Sequence, residues 1–489
     1  WWFPKPISRF EAGAVRSTNT NNTNRSYNRG ENDDETEEAD DALADAFADP
    51  KMARVLTCIP QALPFDRRVK LFDALLKADK ERSQSTEALD GMLRRMMEDG
   101  GPVDLASVGR ESVDIHRDAL YSDSKKQLST LGPRLKRRLN VTFINQHGQQ
   151  EAGIDGGGIM KEFLDDLIRQ AFDPSQYNKQ DQQQDPIPHL FDVTPLQTLT
   201  VHYVPSYSKE LLSHYEFLGR VLGKAVYESI LVEPQFCLPF LNQLLGKQNS
   251  LEDLQNFDPE FHSNLMKLRE MSSQEIASLG LTFELTMEQN HGRGRSVPLI
   301  PGGASIPVTK ATVIQYTHLV AHFRLNVAAS LPTRYFLRGF RDLIPASWVR
   351  LFSSYELQKL IGGDDEGLDV LALKRTMKYS AGYHPSQPII QWFWEIVGEE
   401  WDAEMQRKFL KFMTSCSRQP LLGFDSLDPT PCIQQIRLHT TTKEEATSAR
   451  LPTSSTCMNL LKLPCYSSKQ VLRQKLEAAV ESGAGFELT

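Results

Sequence analysis

The amino-acid sequence predicts an α+β protein with a large, mainly helical N-terminal part and a small α/β part at the C-terminal end. Helical periodicity of apolar residues recurs between residues 215 and 343, and a polar, turn-rich stretch at about 244–307 interrupts it as a smaller insert. The segment KYSAGYHPSQP, which begins at Lys378, has the small residues, glycine and prolines that are typical of a domain linker. Two amphipathic helices, short strands, a polar loop and a closing helix follow it, which indicates a compact α/β unit.

The N-terminal end of the chain is poor in apolar residues. Residues 1–51 are rich in Asn, Ser and Thr and then in acidic residues, so they bury too little apolar surface to offset the entropy of ordering, and we expect disorder. Residues 52–104 predict a helical extension followed by a polar linker, because Phe65, Val69 and Phe72 recur at helical spacing. The chain opens on Trp rather than Met, so we expect it to be a piece of a longer protein.

A strand and a glycine-rich turn are predicted next. The strand runs from Leu139 to Ile144, where β-branched and aromatic residues suit a pleated sheet. Three glycines at 156–158 then precede an amphipathic helix. They match neither the P-loop nor the dinucleotide-binding spacing, so a tight turn explains them better than a phosphate site does.

The middle of the chain predicts a buried helix and a hairpin. The pattern of residues 215–232 predicts a mostly apolar helix in which Gly219 and Gly223 share one face, so we expect a neighbouring helix to approach closely. In the insert, LTFEL and SVPLI flank a turn-rich stretch and predict a β-hairpin. His318 and His322 share a helix face, but the glutamate of a metalloprotease motif is absent, so we interpret both as structural.

Composition excludes several classes of protein. The net charge is −8 and the pI about 5.9, which disfavours a nucleic-acid partner. No apolar run reaches the roughly 18 residues of a membrane span. Six cysteines without a CxxC pair indicate a reducing compartment, so we expect the cytoplasm and/or the nucleus.

Cys457 is the residue best placed for chemistry. It follows four small hydroxylated residues and precedes a Leu-rich, strand-like run, so its thiol lies in a polar loop that solvent can reach. An accessible thiolate is a strong nucleophile. From the pattern alone, an inert, half-exposed cysteine remains the better interpretation. A cysteine hydrolase would need a histidine base, and His439, in a polar loop, is the one histidine after Cys416.

The block LPTSSTCMNLLKLP closely resembles the active-site loop of HECT-type ubiquitin ligases, which reads Leu-Pro-x-x-x-Thr-Cys-(Phe/Met)-Asn-x-Leu-x-Leu-Pro. EAGIDGGGIMKEFL, EFLGRVLGKAVYE, SCSRQPLLGF and the terminal GFELT are similar to further family segments, so the resemblance covers about residues 105–489. The last two segments are most similar to the subgroup that lacks WW, C2 and RCC1 modules.

The resemblance implies a bilobal HECT domain. The N-lobe would span 105–378, with a sub-lobe at about 244–307 that binds the conjugating enzyme, and the C-lobe would span 384–489. The hinge between them would be Tyr379, Ser380, Ala381, Gly382 and Tyr383. Candidates for the conjugating-enzyme groove, each with core packing as an open alternative, are Phe261, Leu265 and Phe283.

The resemblance also implies the reaction. Cys457 would accept ubiquitin from a conjugating enzyme as a thioester, and a substrate lysine would then take it, without any metal or small-molecule cofactor. Supporting roles fall on Thr456 and Asn459 as hydrogen-bonding groups, with loop capping as an open alternative. Many relatives carry His where this chain has Ser455, so proton transfer from that position is not expected.

Further supporting residues follow from the resemblance at some distance from the loop. Arg450 would steer an acidic or carbonyl group, Phe486 would dock the lobes, and Glu487 would orient the incoming lysine. The implied partners are ubiquitin, a conjugating enzyme and protein substrates, with the proteasome as a further candidate, and no nucleic acid. The alternatives are an inactive HECT scaffold, a cysteine hydrolase and a non-enzymatic helical interaction protein.

Overall fold

The computed structural model describes residues 47, 49–98, 110–145, 148–150, 158–177, 187–287, 295–436 and 450–482. Its buried apolar residues form three clusters: a large N-terminal core, the core of an insert, and a C-terminal core. The elements of the large part are α1 Pro50–Cys58, α2 Phe65–Glu98, β1 Arg110–His116, α3 Leu120–Leu131, β2 Arg138–Ile144, α4 Gly158–Ala171, β3 Phe191–Val193, β4 Leu199–Val201, α5 Lys209–Tyr227 and α6 Leu238–Leu244.

The remaining elements follow in chain order. The insert and the helices after it contain α7 Pro259–Glu270, α8 Ser273–Ser278, β5 Glu284–Met287, β6 Arg295–Pro298, α9 Val313–His322, α10 Ser330–Arg341, α11 Ala346–Val349 and α12 Ser354–Gly362. The C-terminal part contains α13 Val370–Thr376, β7 Lys378–Ser380, α14 Pro388–Glu395, α15 Ala403–Thr414, β8 Cys432–Ile436, β9 Thr453–Ser455, β10 Leu460–Pro464 and α16 Lys469–Ser482. Among the described residues, no helix is long and apolar enough to cross a membrane.

The large core is built on the pair α5 and α10, which pack backbone to backbone. A Cβ atom on Gly219 would lie 1.9 Å from the carbonyl oxygen of Phe336, and one on Gly339 would lie 1.9 Å from that of Glu216. The predicted close approach at the glycine face of this helix is therefore confirmed. The predicted strand at 139–144 is also confirmed, as β2, which pairs in parallel with β1.

The helical extension is part of the large core. Helix α2 buries Leu71 and Arg68, and Arg68 as a whole residue is 5% exposed. Arg68 donates to both carboxylate oxygens of Glu356 at 2.7 Å and to the carbonyl of Leu351 at 2.7 Å. A bidentate ion pair and a carbonyl acceptor give the buried guanidinium of Arg68 hydrogen-bond partners, so this side chain connects α2 to α12. The segment predicted to be disordered, 1–51, lies almost wholly outside the described residues.

The insert has its own core, and its bounds differ from the expected 244–307. This core runs from Leu251 to Leu325, because α9 packs its buried face onto the insert. The predicted hairpin is confirmed as β5 and β6, which pair antiparallel. Leu265 and Phe283 are buried in the same core, 6% and 1% exposed, so they do not line an exposed groove and the core alternative holds for both.

The C-terminal part contains a four-stranded sheet in the order β7-β8-β10-β9, in which β9 alone runs antiparallel to its neighbour. The expected hinge, residues 379–383, lies inside this part. Tyr379 and Ser380 belong to β7, and buried Tyr383 donates its hydroxyl to the carbonyl of Leu463 at 3.1 Å. The hinge position is therefore corrected. The large core ends at Ile361 and the C-terminal core begins at Leu368, so the boundary falls between them.

Candidate functional site

Cys457 lies on a single helical turn, Thr456–Met458, that connects β9 to β10. The two strands pair Ser455 with Leu460, so the turn projects from the end of a short antiparallel ladder. The thiol is half-buried, whereas Cys237 and Cys416 are fully buried. The sequence-based expectation that Cys457 occupies a loop at a strand edge is confirmed.

Asn459 holds the shape of this turn. It adopts a left-handed backbone conformation, φ 46° and ψ 41°, which Asn tolerates better than most residues. Its side-chain amide donates to the carbonyl of Pro429 at 2.6 Å, and its backbone carbonyl accepts from the N–H of Cys432 at 3.0 Å. The residue is fully buried and its polar groups are engaged in hydrogen bonds, and these contacts support the loop.

Helix α4 of the large part packs against the turn and brings a lysine to it. The ammonium group of Lys161 donates a hydrogen bond to Asn459 Oδ1 at 2.7 Å, and the two residues are 298 positions apart in the sequence. Burial lowers the pKa of Lys161 to about 8, although Asp165, Cys457 and Cys416 each act to raise it. Burial also raises the pKa of Asp165, against the effect of Arg169. The turn that bears the cysteine is therefore packed against a partly desolvated, charged helix face.

The surroundings of Cys457 favour the thiol over the thiolate. Burial is the main cause that raises the pKa of Cys457, and the Glu162 carboxylate raises it further. Lys161 and Lys462 act to lower the pKa of Cys457, but the net shift of this pKa remains upward. A protonated thiol is a poor nucleophile, so the packed arrangement holds the cysteine in its less reactive form.

A second set of contacts fastens the two parts together. Glu233 of the large part accepts from the Ser417 backbone N–H at 2.5 Å and from the Ser417 hydroxyl at 3.3 Å. Arg418 donates to the carbonyl of Gly362 at 3.1 Å and to Asp365 at 3.1 Å. We call Glu233, Ser417, Arg418 and Gly362 the inter-lobe latch. It lies at the boundary between the two cores.

A cavity of about 80 Å³ remains between the two parts. Its walls include Lys161 and Glu228 from the large part and Thr414, Cys416 and Asp428 from the small part. Charged side chains from both parts therefore face a common pocket at the place where the two parts meet.

The other expected site residues are placed as follows. Thr456 is buried, and its carbonyl accepts the N–H of Asn459 at 3.2 Å, which is a turn contact. The Arg450 side chain is exposed, and its carbonyl accepts from the Tyr466 hydroxyl at 2.6 Å. Phe486 and Glu487 lie outside the described residues. Phe261 is partly buried, with the Arg324 guanidinium 4.4 Å from its ring centre.

Lys161 and Glu233 were not among the residues that the sequence pointed to. Both contact the C-terminal part across more than 180 residues of chain, and such pairing leaves no local pattern. A signal was present for Lys161, because it lies in the EAGIDGGGIMKEFL segment that resembles the family.

Fold and site together define the class of protein. Residues 177–489 match the family model described as HECT-domain (ubiquitin-transferase), and the chain belongs to that family. It is 37% identical over 465 residues to human "Ubiquitin-protein ligase E3B", covering 90% of this chain and 41% of that protein. It is 38% identical over 436 residues to "E3 ubiquitin-protein ligase UPL6" of Arabidopsis thaliana, covering 89% of this chain and 39% of that protein.

A yeast relative shows the same extent of match. The chain is 37% identical over 439 residues to "E3 ubiquitin-protein ligase HUL5" of Saccharomyces cerevisiae, covering 89% of this chain and 45% of that protein. The chain therefore spans less than half the length of these curated relatives.

Proposed function

We propose that the protein is an E3 ubiquitin ligase in which Cys457 carries ubiquitin as a thioester before its transfer to substrate lysines. The observation that supports this most is the half-buried thiol on a projecting turn, in a chain of the HECT family. Buried Cys416 is unsuited to this role, because burial raises its pKa to about 12. The partners we propose are ubiquitin, a conjugating enzyme and protein substrates.

The chemistry proceeds in two acyl transfers. The Cys457 thiolate attacks the carbonyl carbon of the ubiquitin thioester on the conjugating enzyme, a new C–S bond forms, and the conjugating enzyme's thiolate leaves. A substrate lysine amine then attacks the carbonyl, the C–N bond forms, the Cys457 thiolate leaves and the amine proton passes to solvent. The first step exchanges one thioester for another, so positioning decides its rate more than driving force does.

The packed arrangement is a resting state of this cycle in our proposal. Burial and Glu162 raise the pKa of Cys457, so separation of the turn from α4 returns the thiol towards its ordinary acidity. The pivot that we propose is residues 362–368, between the two cores, where Gly363 and Gly367 have positive φ. Glycines in that conformation absorb backbone rotation at low cost.

The conjugating enzyme is proposed to bind the insert. Because Leu265 and Phe283 are buried, the exposed apolar side chains Leu279, Ile306 and Ile314 are better candidates for this contact. Isolated apolar side chains are common on protein surfaces, so exposure alone does not identify a binding site, and substitution of these residues tests the assignment. Replacement of all three by Ser should weaken charging of Cys457 by the conjugating enzyme and leave folding unchanged.

The tail residues keep their proposed roles. Phe486 docks the lobes for transfer, and Glu487 orients the acceptor lysine. Phe486→Ala is expected to slow transfer from Cys457 to lysine while leaving the charging of Cys457 unchanged.

The test of the proposed function is a single-turnover charging assay. A conjugating enzyme is first loaded with ubiquitin, this protein is added, and the mixture is resolved on a non-reducing gel. Wild type should form a ubiquitin adduct that a thiol reductant removes, and Cys457→Ala should form none. Cys465→Ala is the matched control, because Cys465 is an exposed cysteine of the same C-terminal part. No adduct from folded wild type would favour a scaffold without chemistry.

A further inference from the structure

Helix α10 presents three arginines to solvent along one face. Arg334, Arg338 and Arg341 lie at helical positions i, i+4 and i+7, so they share a face, and all three are exposed. The opposite face of α10 packs against α5 through buried residues that include Phe336 and Gly339. We call Arg334, Arg338 and Arg341 the arginine row. Because α10 belongs to the large core, the row is held on a rigid part of the protein.

The arginine row carries more positive charge than its paired carboxylates offset. Arg338 and Arg220 both pair with Glu216 of α5, and Arg220 also pairs with Asp342. The other two arginines of the row make no hydrogen bond or ion pair with any residue that the structure describes. Four guanidinium groups therefore share two carboxylates, and this surface suits an acidic partner.

An acidic stretch of the same chain is attached close to this surface. Residues 31–45 contain nine Asp and Glu residues and no Lys or Arg. This stretch lies outside the described residues, but Phe47 directly after it is buried in the large core, and α1 follows. Helix α1 packs against α11, which begins five residues after Arg341. Five residues span at most about 18 Å and fifteen residues about 50 Å, so the acidic stretch can reach the arginine row.

The chain connection strengthens contacts that would be weak between separate molecules. Exposed ion pairs contribute little individually. A flexible tether keeps the carboxylates at a high local concentration beside the row, so several weak pairs form together. Guanidinium groups also bind carboxylates in a planar, bidentate geometry. We propose that residues 31–45 dock on the arginine row of α10 through ion pairs. This contact is independent of ubiquitin transfer.

The test is zero-length crosslinking in the complete chain. A carbodiimide joins an amine to a carboxylate that it contacts, and Arg341→Lys keeps the charge of the row while adding such an amine. We expect peptide mass spectrometry to find crosslinks from position 341 to residues 31–45, at least about tenfold above those from Arg375→Lys, a matched exposed arginine of α13. The crosslinks should decrease severalfold between about 20 mM and about 1 M salt, because screening weakens exposed ion pairs.

Charge reversal gives an independent measurement. Arg334→Glu combined with Arg341→Glu should speed cleavage after Glu35 and Glu38 by a glutamate-specific protease at low salt, whereas Arg375→Glu should leave the rate as in wild type. A mixture of isotope-labelled and unlabelled chains distinguishes contact within one chain from contact with a second copy. The proposal is overturned if Arg341→Lys crosslinks no more than Arg375→Lys, if the crosslinks join different chains only, or if salt and charge reversal have no effect.

Discussion

Removal of the Glu233 carboxylate should expose the cysteine and make it more reactive. Glu233 accepts two hydrogen bonds from Ser417, at 2.5 and 3.3 Å, and joins the large part to the C-terminal part. Glu233→Ala removes both acceptors from the inter-lobe latch. The packed arrangement raises the pKa of Cys457, so any shift away from it increases the thiolate fraction at neutral pH.

The size of the effect follows from the type of bond. A hydrogen bond to a charged group contributes about 1.5–3 kcal/mol, and the partial exposure of Glu233 places this contact at the lower end. A loss of about 1.5 kcal/mol raises the population of the separated arrangement roughly tenfold. Glu233→Gln keeps one neutral acceptor for the Ser417 N–H, so it should produce a smaller shift.

The assay is the rate of alkylation of Cys457 by iodoacetamide, followed by peptide mass spectrometry from pH 6 to 10. We expect alkylation at neutral pH to rise about tenfold in Glu233→Ala, with a lower apparent pKa, and to rise less in Glu233→Gln. Glu404→Ala, an exposed carboxylate paired with Lys408 on α15, is the control. Equal rates and equal pH profiles for Glu233→Ala and wild type would refute the reasoning.

Three further predictions concern stability, each measured as the free energy of unfolding in urea. Gly219→Ala should cost at least about 3 kcal/mol, because its Cβ atom would lie 1.9 Å from the carbonyl oxygen of Phe336. Asn459→Ala should cost about 2–4 kcal/mol, since it loses the bonds to Pro429 and Lys161 and strains a residue at φ 46°. Burial, followed by Lys125, lowers the pKa of His214 from 6.5 to about 4. Between pH 6.5 and pH 4, the unfolded chain therefore binds a proton at His214 that the folded chain does not bind. The free energy of unfolding should fall by roughly 2 kcal/mol from pH 7 to pH 5.

Each of these predictions has a matched control. Gly223→Ala should cost less than Gly219→Ala, because its Cβ atom would lie 3.1 Å from the nearest backbone oxygen, and equal costs would contradict the packing argument. Asn459→Gly should cost about 1 kcal/mol less than Asn459→Ala, since Gly accepts positive φ. His214→Gln should reduce the loss between pH 7 and pH 5, whereas exposed His318→Gln should leave it unchanged.

Local pattern was sufficient for several parts of the fold. The strand at 139–144 and the hairpin of the insert follow from alternation and turn residues, because these depend on near neighbours in sequence. The two glycines of α5 also indicated a close helix neighbour, and α10 is that neighbour. The cysteine turn was located by its resemblance to a family, while its residue types alone left an inert thiol as the better interpretation.

Long-range placement could not be obtained in the same way. Gly and Pro in 379–388 indicate turns, but nothing local shows that Tyr379 and Tyr383 pack into the C-terminal part, so the expected hinge was misplaced. An apolar residue such as Phe283 suits a groove and a core equally until its neighbours are known. The Lys161–Asn459 contact joins two distant segments, and only the folded chain brings them together.

The central claim is that Cys457 itself carries ubiquitin, and replacement of its sulfur by oxygen tests this most directly. With a ubiquitin-loaded conjugating enzyme, wild type should form an adduct that dithiothreitol cleaves, because the linkage is a thioester. Cys457→Ser should form, more slowly, an adduct that resists dithiothreitol and is cleaved by hydroxide, because the linkage becomes an ester. A dithiothreitol-sensitive adduct that persists in folded Cys457→Ser would show that another cysteine is the carrier and would contradict the account.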